Sequence, residues 1–311
     1  MRKRVVDAAK RLRYSPNASA QSMARGGSRT ISLVVSDLED PYFASIAAGV
    51  IESAGRDGIR VTVDITKRDP EREAEVIGLA GAQRARALIF VGSRSADRRS
   101  TSVLERELAA FEETGGRVVL VSQRGLPFDT IVPDNRSGAA ALAHALREMG
   151  YERFAIIADQ PQHVASTERA AGFISGLAET GLEISDSDIL RSPDSWDDGY
   201  RAATALLDRG GELPQLIFAV SDPVALGAMS ALRERGISIP GQIAIAGYGG
   251  TSGRASAQIT TVQFALRETG VQAYALATRH RGEGERSVVT LPATVMIRAS
   301  TPQLSTPSSR A

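Results

Sequence analysis

The sequence predicts an α/β fold made of two doubly wound parallel-sheet subdomains, and three observations carry the prediction. Short β-branched runs alternate with helical patterns of about 12 to 18 residues. The runs are apolar at almost every position, the mark of strands covered on both faces. The alternation pauses near Asp129–Asn135 and then restarts, as two similar halves joined by crossovers require.

In chain order, the first half offers strands at Thr30–Ser36 (TISLVVS), Arg60–Thr66 (RVTVDIT), Ala87–Gly92 (ALIFVG) and Arg117–Ser122 (RVVLVS). Helices are predicted at 42–57, 70–83, 101–115 and 136–149. The second half offers strands at Arg153–Ala158 (RFAIIA), Leu216–Val220 (LIFAV) and Ile243–Gly247 (IAIAG), with helices at 167–181, 197–210, 223–236 and 265–280. Asp69-Pro70 and Asp222-Pro223 each set a capping carboxylate before a proline suited to a first helical turn. Gly115, Gly150, Gly181 and Gly236 stand where helices should stop. The ending is rich in Ser, Thr and Pro, and residues 302–311 are expected to form a disordered tail.

The first 29 residues break this rhythm. They hold eight of the 37 Lys/Arg (Arg2, Lys3, Arg4, Lys10, Arg11, Arg13, Arg25 and Arg29) against one acid, Asp7. The other 282 residues carry 29 bases and 35 acids, so a net charge of +1 divides into a head of +7 and a body of −6. A basic head fits a polyanionic partner, because Lys/Arg that neutralise phosphates release condensed counterions; a solubilising tail is the other reading. Val5, Ala8, Ala9 and Leu12 lie at helical spacing, and Tyr14-Ser15-Pro16-Asn17 ends that helix. A second short helical stretch, Ala18–Arg25 (ASAQSMAR), closes at Gly26-Gly27. It has too few apolar residues to fold alone.

Composition and motifs exclude much chemistry. The absence of cysteine removes disulfides, thiolate metal sites and thiol catalysis. There is no secretory signal and no apolar run of about 18 residues, so a cytoplasmic protein without a membrane partner is the default expectation. No G-x-S-x-G elbow occurs, and of His144, His163 and His280 none sits in a recognisable triad motif. His144, within ALAHALREMG, reads as a helix-packing residue. No G-x-x-x-x-G-K-[ST] loop is present, and the first strand leads into DLEDPYF rather than G-x-G-x-x-G. The acids are scattered or helix-capping, and Asp197-Asp198 suits a first helical turn. The sequence therefore predicts no catalytic residue, no cofactor and no metal. In an open parallel sheet a ligand should bind beyond the carboxyl ends of the strands. Those ends carry Asp37–Phe43, Ser93–Ser95, Gln123-Arg124, Asp159–Arg169, Ser221-Asp222 and Tyr248–Thr251.

The segments RKRVVDAAKRLRYSPNASAQSMARGGSRTISLVVSDLEDPYF, DPEREAEVIGL, TERAAGFISGL, LIFAVSDPVALGAMSALRERGISIPGQIAIAGYGG, ITTV and VMIRAST follow one another over residues 2–301. Together they resemble the lactose/galactose repressor (LacI/GalR) family of bacterial transcription regulators. The resemblance implies a helix-turn-helix headpiece, a hinge helix and a core similar to type I periplasmic sugar-binding proteins. Residues 1–28 would be the headpiece's third helix plus the hinge helix, and 29–301 the effector-binding core. Three chain crossings would give an N-subdomain of about 29–133 and 264–290, and a C-subdomain of about 134–263 and 291–301. The resemblance implies a homodimer whose paired hinge helices enter the DNA minor groove. Asn17, Ala18, Gln21, Met23 and Arg25 would be the DNA-binding residues there. Met23 stands where the family has an apolar wedge that opens a base step; packing on the core is its other reading. The family's first two headpiece helices would precede residue 2; a start placed at an internal methionine is favoured over a cut chain or a loss of the operator-reading module, and weak, salt-sensitive, sequence-indifferent DNA binding is expected of these 311 residues.

The resemblance also implies effector-binding residues. Tyr42 and Phe43 follow the first strand, Trp196 matches a stacking aromatic, and Arg169 matches an arginine that donates to ligand hydroxyls or carboxylates. Asp134 lies at the crossing between subdomains. Departures from the family pattern fall at Gln123-Arg124, Ser221-Asp222, Gly249 and Gln263-Phe264, where two customary aspartates are replaced. Losing them removes charge-assisted contacts worth about 1.5–3 kcal/mol each, which favours a less hydroxylated, aromatic or anionic effector over a hexose, with Arg169 and Arg124 as anion partners. The leading expectation is a dimeric, ligand-responsive repressor. A solute-binding protein of a transporter is the alternative, and an enzyme comes third.

Overall fold

The computed structural model describes Arg11 and residues 28–92, 98–159, 163–250, 258–279 and 286–304. The expected third headpiece helix, the hinge helix with Asn17, Ala18, Gln21, Met23 and Arg25, the strand-end residues Ser93–Ser95 and Thr251, and residues 305–311 lie outside them.

The first half of the chain forms β1 (Thr30–Val35), α1 (Pro41–Arg56), β2 (Arg60–Ile65), α2 (Pro70–Ala82), β3 (Ala87–Val91), α3 (Arg98–Glu113), β4 (Arg117–Val121) and β5 (Asp129–Pro133). With β11 (Val288–Leu291) these strands make one six-stranded parallel sheet in the order β11-β5-β4-β3-β1-β2. Ile31, Leu33 and Val35 point to one face with Phe43, Ile46 and Val50 of α1 and Ala273 of α8 (Leu266–Thr278). Val34, Leu88, Phe90, Val118 and Leu120 point to the other, against Val76 and Ile77 of α2 and Leu104 and Leu108 of α3. Both faces are thus buried, which explains the near-continuous apolar runs. α1 and α8 cross backbone to backbone: a Cβ on Gly49 would lie 2.1 Å from Arg267 O, and one on Gly270 2.1 Å from Ile46 O.

The second half adds α4 (Asn135–Glu148), β6 (Phe154–Ala158), α5 (Val164–Glu179), β7 (Ile189–Arg191), α6 (Trp196–Asp208), β8 (Leu216–Ala219), α7 (Asp222–Glu234) and β9 (Ala244–Ala246). Its four-stranded parallel sheet runs β7-β6-β8-β9. Leu142 and Leu146 of α4 and Phe173 of α5 cover one face, and Ala202 and Leu206 of α6 with Val224 and Ala228 of α7 cover the other. β10 (Thr261–Gln263) pairs antiparallel with β12 (Thr294–Met296) and touches β9 through the bridges Ala246↔Thr260 and Gly249↔Gln263. The chain passes between the two sheets after β5, between β10 and α8, and after β11. At the first and third passages Asp134 N donates to Leu291 O at 3.1 Å.

Three expectations are corrected. The pause at 129–135 contains β5, fastened by buried Asp129, which accepts from Arg117 Nη1 (2.7 Å), Arg279 Nη2 (3.1 Å) and Ser287 N (2.9 Å). The sequence sets the cap of α7 at Asp222, but Ser221 Oγ accepts from Val224 N and Asp222 begins the helix. The chain beyond 301 docks for three more residues: Tyr151 Oη donates to Pro302 O at 2.8 Å, and Leu304 N to Met149 O at 3.0 Å. Among the described residues no helix is long and apolar enough to cross a membrane.

Candidate functional site

A cleft opens where the carboxyl ends of the two sheets face each other. The six-stranded side contributes Asp40, Tyr42 and Phe43 after β1, Arg68 after β2 and Ser122 after β4. The four-stranded side contributes Asp159, His163, Ser166 and Arg169 after β6, Asp194 after β7, Ser221 after β8, and Tyr248 and Gly249 after β9. The space between the walls is about 90 Å³, enough for a compact molecule or a few waters.

Local structure fixes each wall. Asp40 caps α1 by accepting from Tyr42 N at 2.8 Å, and Pro41 opens the helix, so the first turn aims Tyr42 and Phe43 inward. Tyr42 Oη lies 2.8 Å from Ser122 Oγ, and burial raises the phenol's pKa above its usual value. Burial also raises the Asp40 carboxyl; the Tyr42 N–H opposes this, the nearby Asp194 carboxylate adds to it, and Arg68 and Arg169 lower it. Asp194 accepts from Ser221 Oγ. His163 Nδ1 meets Asp159 Oδ2 at 2.5 Å.

Arg169 is the most constrained of these side chains. Its Nε donates to Asn135 Oδ1 and its Nη1 to Val220 O, each at 3.0 Å. The guanidinium stands 4.6 Å over the Tyr248 ring, and Tyr248 Oη donates to Asn135 O at 3.0 Å. This knot joins α5, the start of α4 at the first passage, and the ends of β8 and β9. Burial pushes the Tyr248 phenol strongly upward, so it stays a neutral donor.

Of the residues the sequence singled out, Tyr42, Phe43, Arg169, Ser221 and Gly249 line the cleft. Five do not. Trp196, 44% exposed, stacks on Tyr200 one helical turn along α6, at 5.8 Å between rings. Arg124 is exposed beyond the cleft wall. Gln123 is buried beside cleft-lining Ser122, its Oε1 without a hydrogen-bond partner. Asp134 caps α4 by accepting from Ser137 N at 3.2 Å. Asp222, fully buried, accepts from Thr261 Oγ1 at 2.7 Å while its N–H donates to Tyr248 O at 2.9 Å, which ties β10 to the ends of β8 and β9. Arg68 and Asp194 were not singled out. Asp40 fell within the strand end Asp37–Phe43 without being named, although Asp40-Pro41 repeats the cap signature of Asp69-Pro70. No group of three or more His, Asp or Glu among the described residues is placed to hold a metal ion.

Residues 143–301 match the family described as the periplasmic binding protein-like domain, and this is the class of protein that the two sheets and their shared cleft define. The HTH-type transcriptional regulator DegA of Bacillus subtilis is 29% identical over 310 residues, 98% of this chain and 90% of its own. The HTH-type transcriptional repressor PurR of Haemophilus influenzae is 30% identical over 247 residues, 78% of this chain and 70% of its own. Among solved structures, a transcriptional regulator CelR–cellobiose complex superposes with a TM-score of 0.76 at 26% identity, covering 96% of this chain and 90% of that one. The lac repressor dimer bound to operator and the anti-inducer ONPF gives a TM-score of 0.83 at 22% identity over 97% and 90%. The chain belongs to the LacI/GalR family of transcription regulators.

Proposed function

We propose that this protein is a dimeric, ligand-responsive repressor whose effector binds between the carboxyl ends of the two sheets. The carrying observation is that both sheets, on opposite sides of the three chain passages, line one cleft. The six-stranded lobe, about 29–133 and 264–290, and the four-stranded lobe, about 134–263 and 291–301, act as its jaws. Tyr42 and Phe43 offer an aromatic wall, Ser221 and Gly249 a polar floor, and Arg169 both holds the four-stranded wall together and faces the ligand. Effector binding biases a two-state equilibrium of the lobes, because one lobe cannot satisfy a ligand that touches both.

The DNA contact belongs to the basic head, with Asn17, Ala18, Gln21, Met23 and Arg25 entering a minor groove beside the same segment of a second copy. Support for a link to the cleft comes from Arg29, whose Nη2 donates to Asp57 O at 2.7 Å and Gly58 O at 3.1 Å at the end of α1. The first residue of that same helix follows Asp40. One rigid helix therefore spans from the cleft to the root of the head. A metabolite library tested by thermal shift on the parent and on Tyr42→Ala examines the reading. It predicts compounds that stabilise the parent and lose that effect in the variant; equal stabilisation of both by every active compound contradicts it.

A further inference from the structure

The charges lining the cleft define the class of effector. We infer that the effector is a compact, hydroxyl-bearing primary amine whose ammonium group sits between Asp40 and Asp194 and draws the two lobes together. The inference rests on the cleft being the effector site. Asp40 comes from the six-stranded lobe and Asp194 from the four-stranded lobe. Each carboxylate uses one oxygen internally: Asp40 Oδ1 accepts from Tyr42 N, and Asp194 Oδ1 from Ser221 Oγ. The second oxygen of each is left for a ligand.

The cleft's cations lower the Asp40 carboxyl from a distance but are engaged elsewhere or stand at the mouth. Arg169 spends Nε and Nη1 on Asn135 and Val220 and lays its face on Tyr248. Arg68 is exposed at the mouth. Asp159, a third lining carboxylate, faces His163. An anion would meet Asp40 and Asp194, and a neutral sugar would leave these two carboxylates repelling each other across the cleft, a repulsion that adds to burial in raising the Asp40 carboxyl. An ammonium donates to both and removes it. Ser122, Ser166 and Tyr42 remain for hydroxyl groups, and no metal-binding group of side chains competes for the role among the described residues. The anionic effector favoured by the sequence loses its basis, because Arg124 lies outside the cleft and Arg169 is largely committed.

The test uses matched probes that differ in charge on one skeleton: glucosamine, N-acetylglucosamine, glucose and gluconate; and ethanolamine against ethylene glycol and glycolate. Thermal shift and titration calorimetry are run on the parent, Asp40→Asn, Asp194→Asn and Tyr42→Ala. Asparagine keeps the cap of α1, so the Asp40 variant stays folded. The amine of at least one set should bind, its neutral and acidic partners at least about tenfold more weakly, and both asparagine variants should weaken the amine about tenfold or more. In the free protein Asp40→Asn should raise the melting temperature, since it ends the repulsion. The inference is overturned if neutral or acidic probes bind better than their amines, if amine binding survives both asparagine variants, or if no probe binds and Asp40→Asn fails to stabilise. Binding of a neutral or acidic probe that Tyr42→Ala abolishes would overturn the amine alone and leave the cleft as effector site. Binding indifferent to every cleft variant would overturn both.

Discussion

Replacing Arg169 with alanine should destabilise the free protein as well as weaken ligand binding. Two hydrogen bonds at 3.0 Å are lost, to Asn135 Oδ1 and Val220 O, together with the guanidinium packed 4.6 Å over Tyr248. Bonds made by a charged donor are worth about 1.5–3 kcal/mol each, and a cation over an aromatic ring about 0.5–1 kcal/mol. Water can enter from the cleft and satisfy part of what Arg169 leaves behind, which favours the low end of each range. The expected loss is therefore about 3.5 kcal/mol, a large share of a typical folding free energy. Arg169→Lys keeps the charge but reaches only one acceptor, and should lose about half as much. Urea unfolding of ligand-free protein, followed by circular dichroism, measures both. A change within about 0.5 kcal/mol for Arg169→Ala would refute the strut and leave the side chain free to serve ligand alone.

Four further outcomes are expected. Gly49→Ala should cost about 1–3 kcal/mol, because the added carbon meets the backbone carbonyl of Arg267 and the helices must part; thermal unfolding reads it. Burial, with Asp69 adjacent, pushes the Glu73 carboxyl up to about 7. The folded chain then holds that proton more tightly than the unfolded one, so stability should fall as pH rises from the ordinary carboxylate range to about 7, and Glu73→Gln should flatten that slope in a series of melting curves. Arg29→Ala should leave stability within about 0.5 kcal/mol, since its bonds are exposed, yet shrink the change in DNA affinity that a cleft ligand causes; fluorescence anisotropy at two ligand levels measures it. Arg25→Ala should weaken binding to unrelated duplexes alike and reduce the slope of log K against log salt by about one.

The strands with near-continuous apolar runs were legible because burial on both faces writes itself into every position: β1, β3, β4, β6 and β8 all read this way. The short strands β7, β10 and β12 are three residues each and, unlike β9 within IAIAG, sit in no longer apolar run, and β5 begins with Asp129, whose charge is satisfied by Arg117, Arg279 and Ser287 N from elsewhere in the fold. The same limits shaped the site. Strand ends that could be read gave Tyr42, Phe43, Arg169, Ser221 and Gly249. Asp194 follows unread β7, and Trp196 two residues later drew attention that belonged to it. Arg68 lies in a left-handed backbone conformation, φ 63°, which no residue type there announces. Asp222 looked like a cap because Asp-Pro commonly is one; its carboxylate instead accepts from Thr261, 39 residues away.

The central claim is that cleft and basic head report on one equilibrium, and interlobe distance measures it directly. The native chain has no cysteine, so Leu79→Cys in α2 and Ala178→Cys in α5 give a unique pair of exposed spin-label sites, one on each lobe. Pulsed electron paramagnetic resonance should show the distance distribution shift when duplex DNA binds at low salt, and return when salt releases it, because linkage between two sites is reciprocal. An unchanged distribution with DNA demonstrably bound would contradict the account.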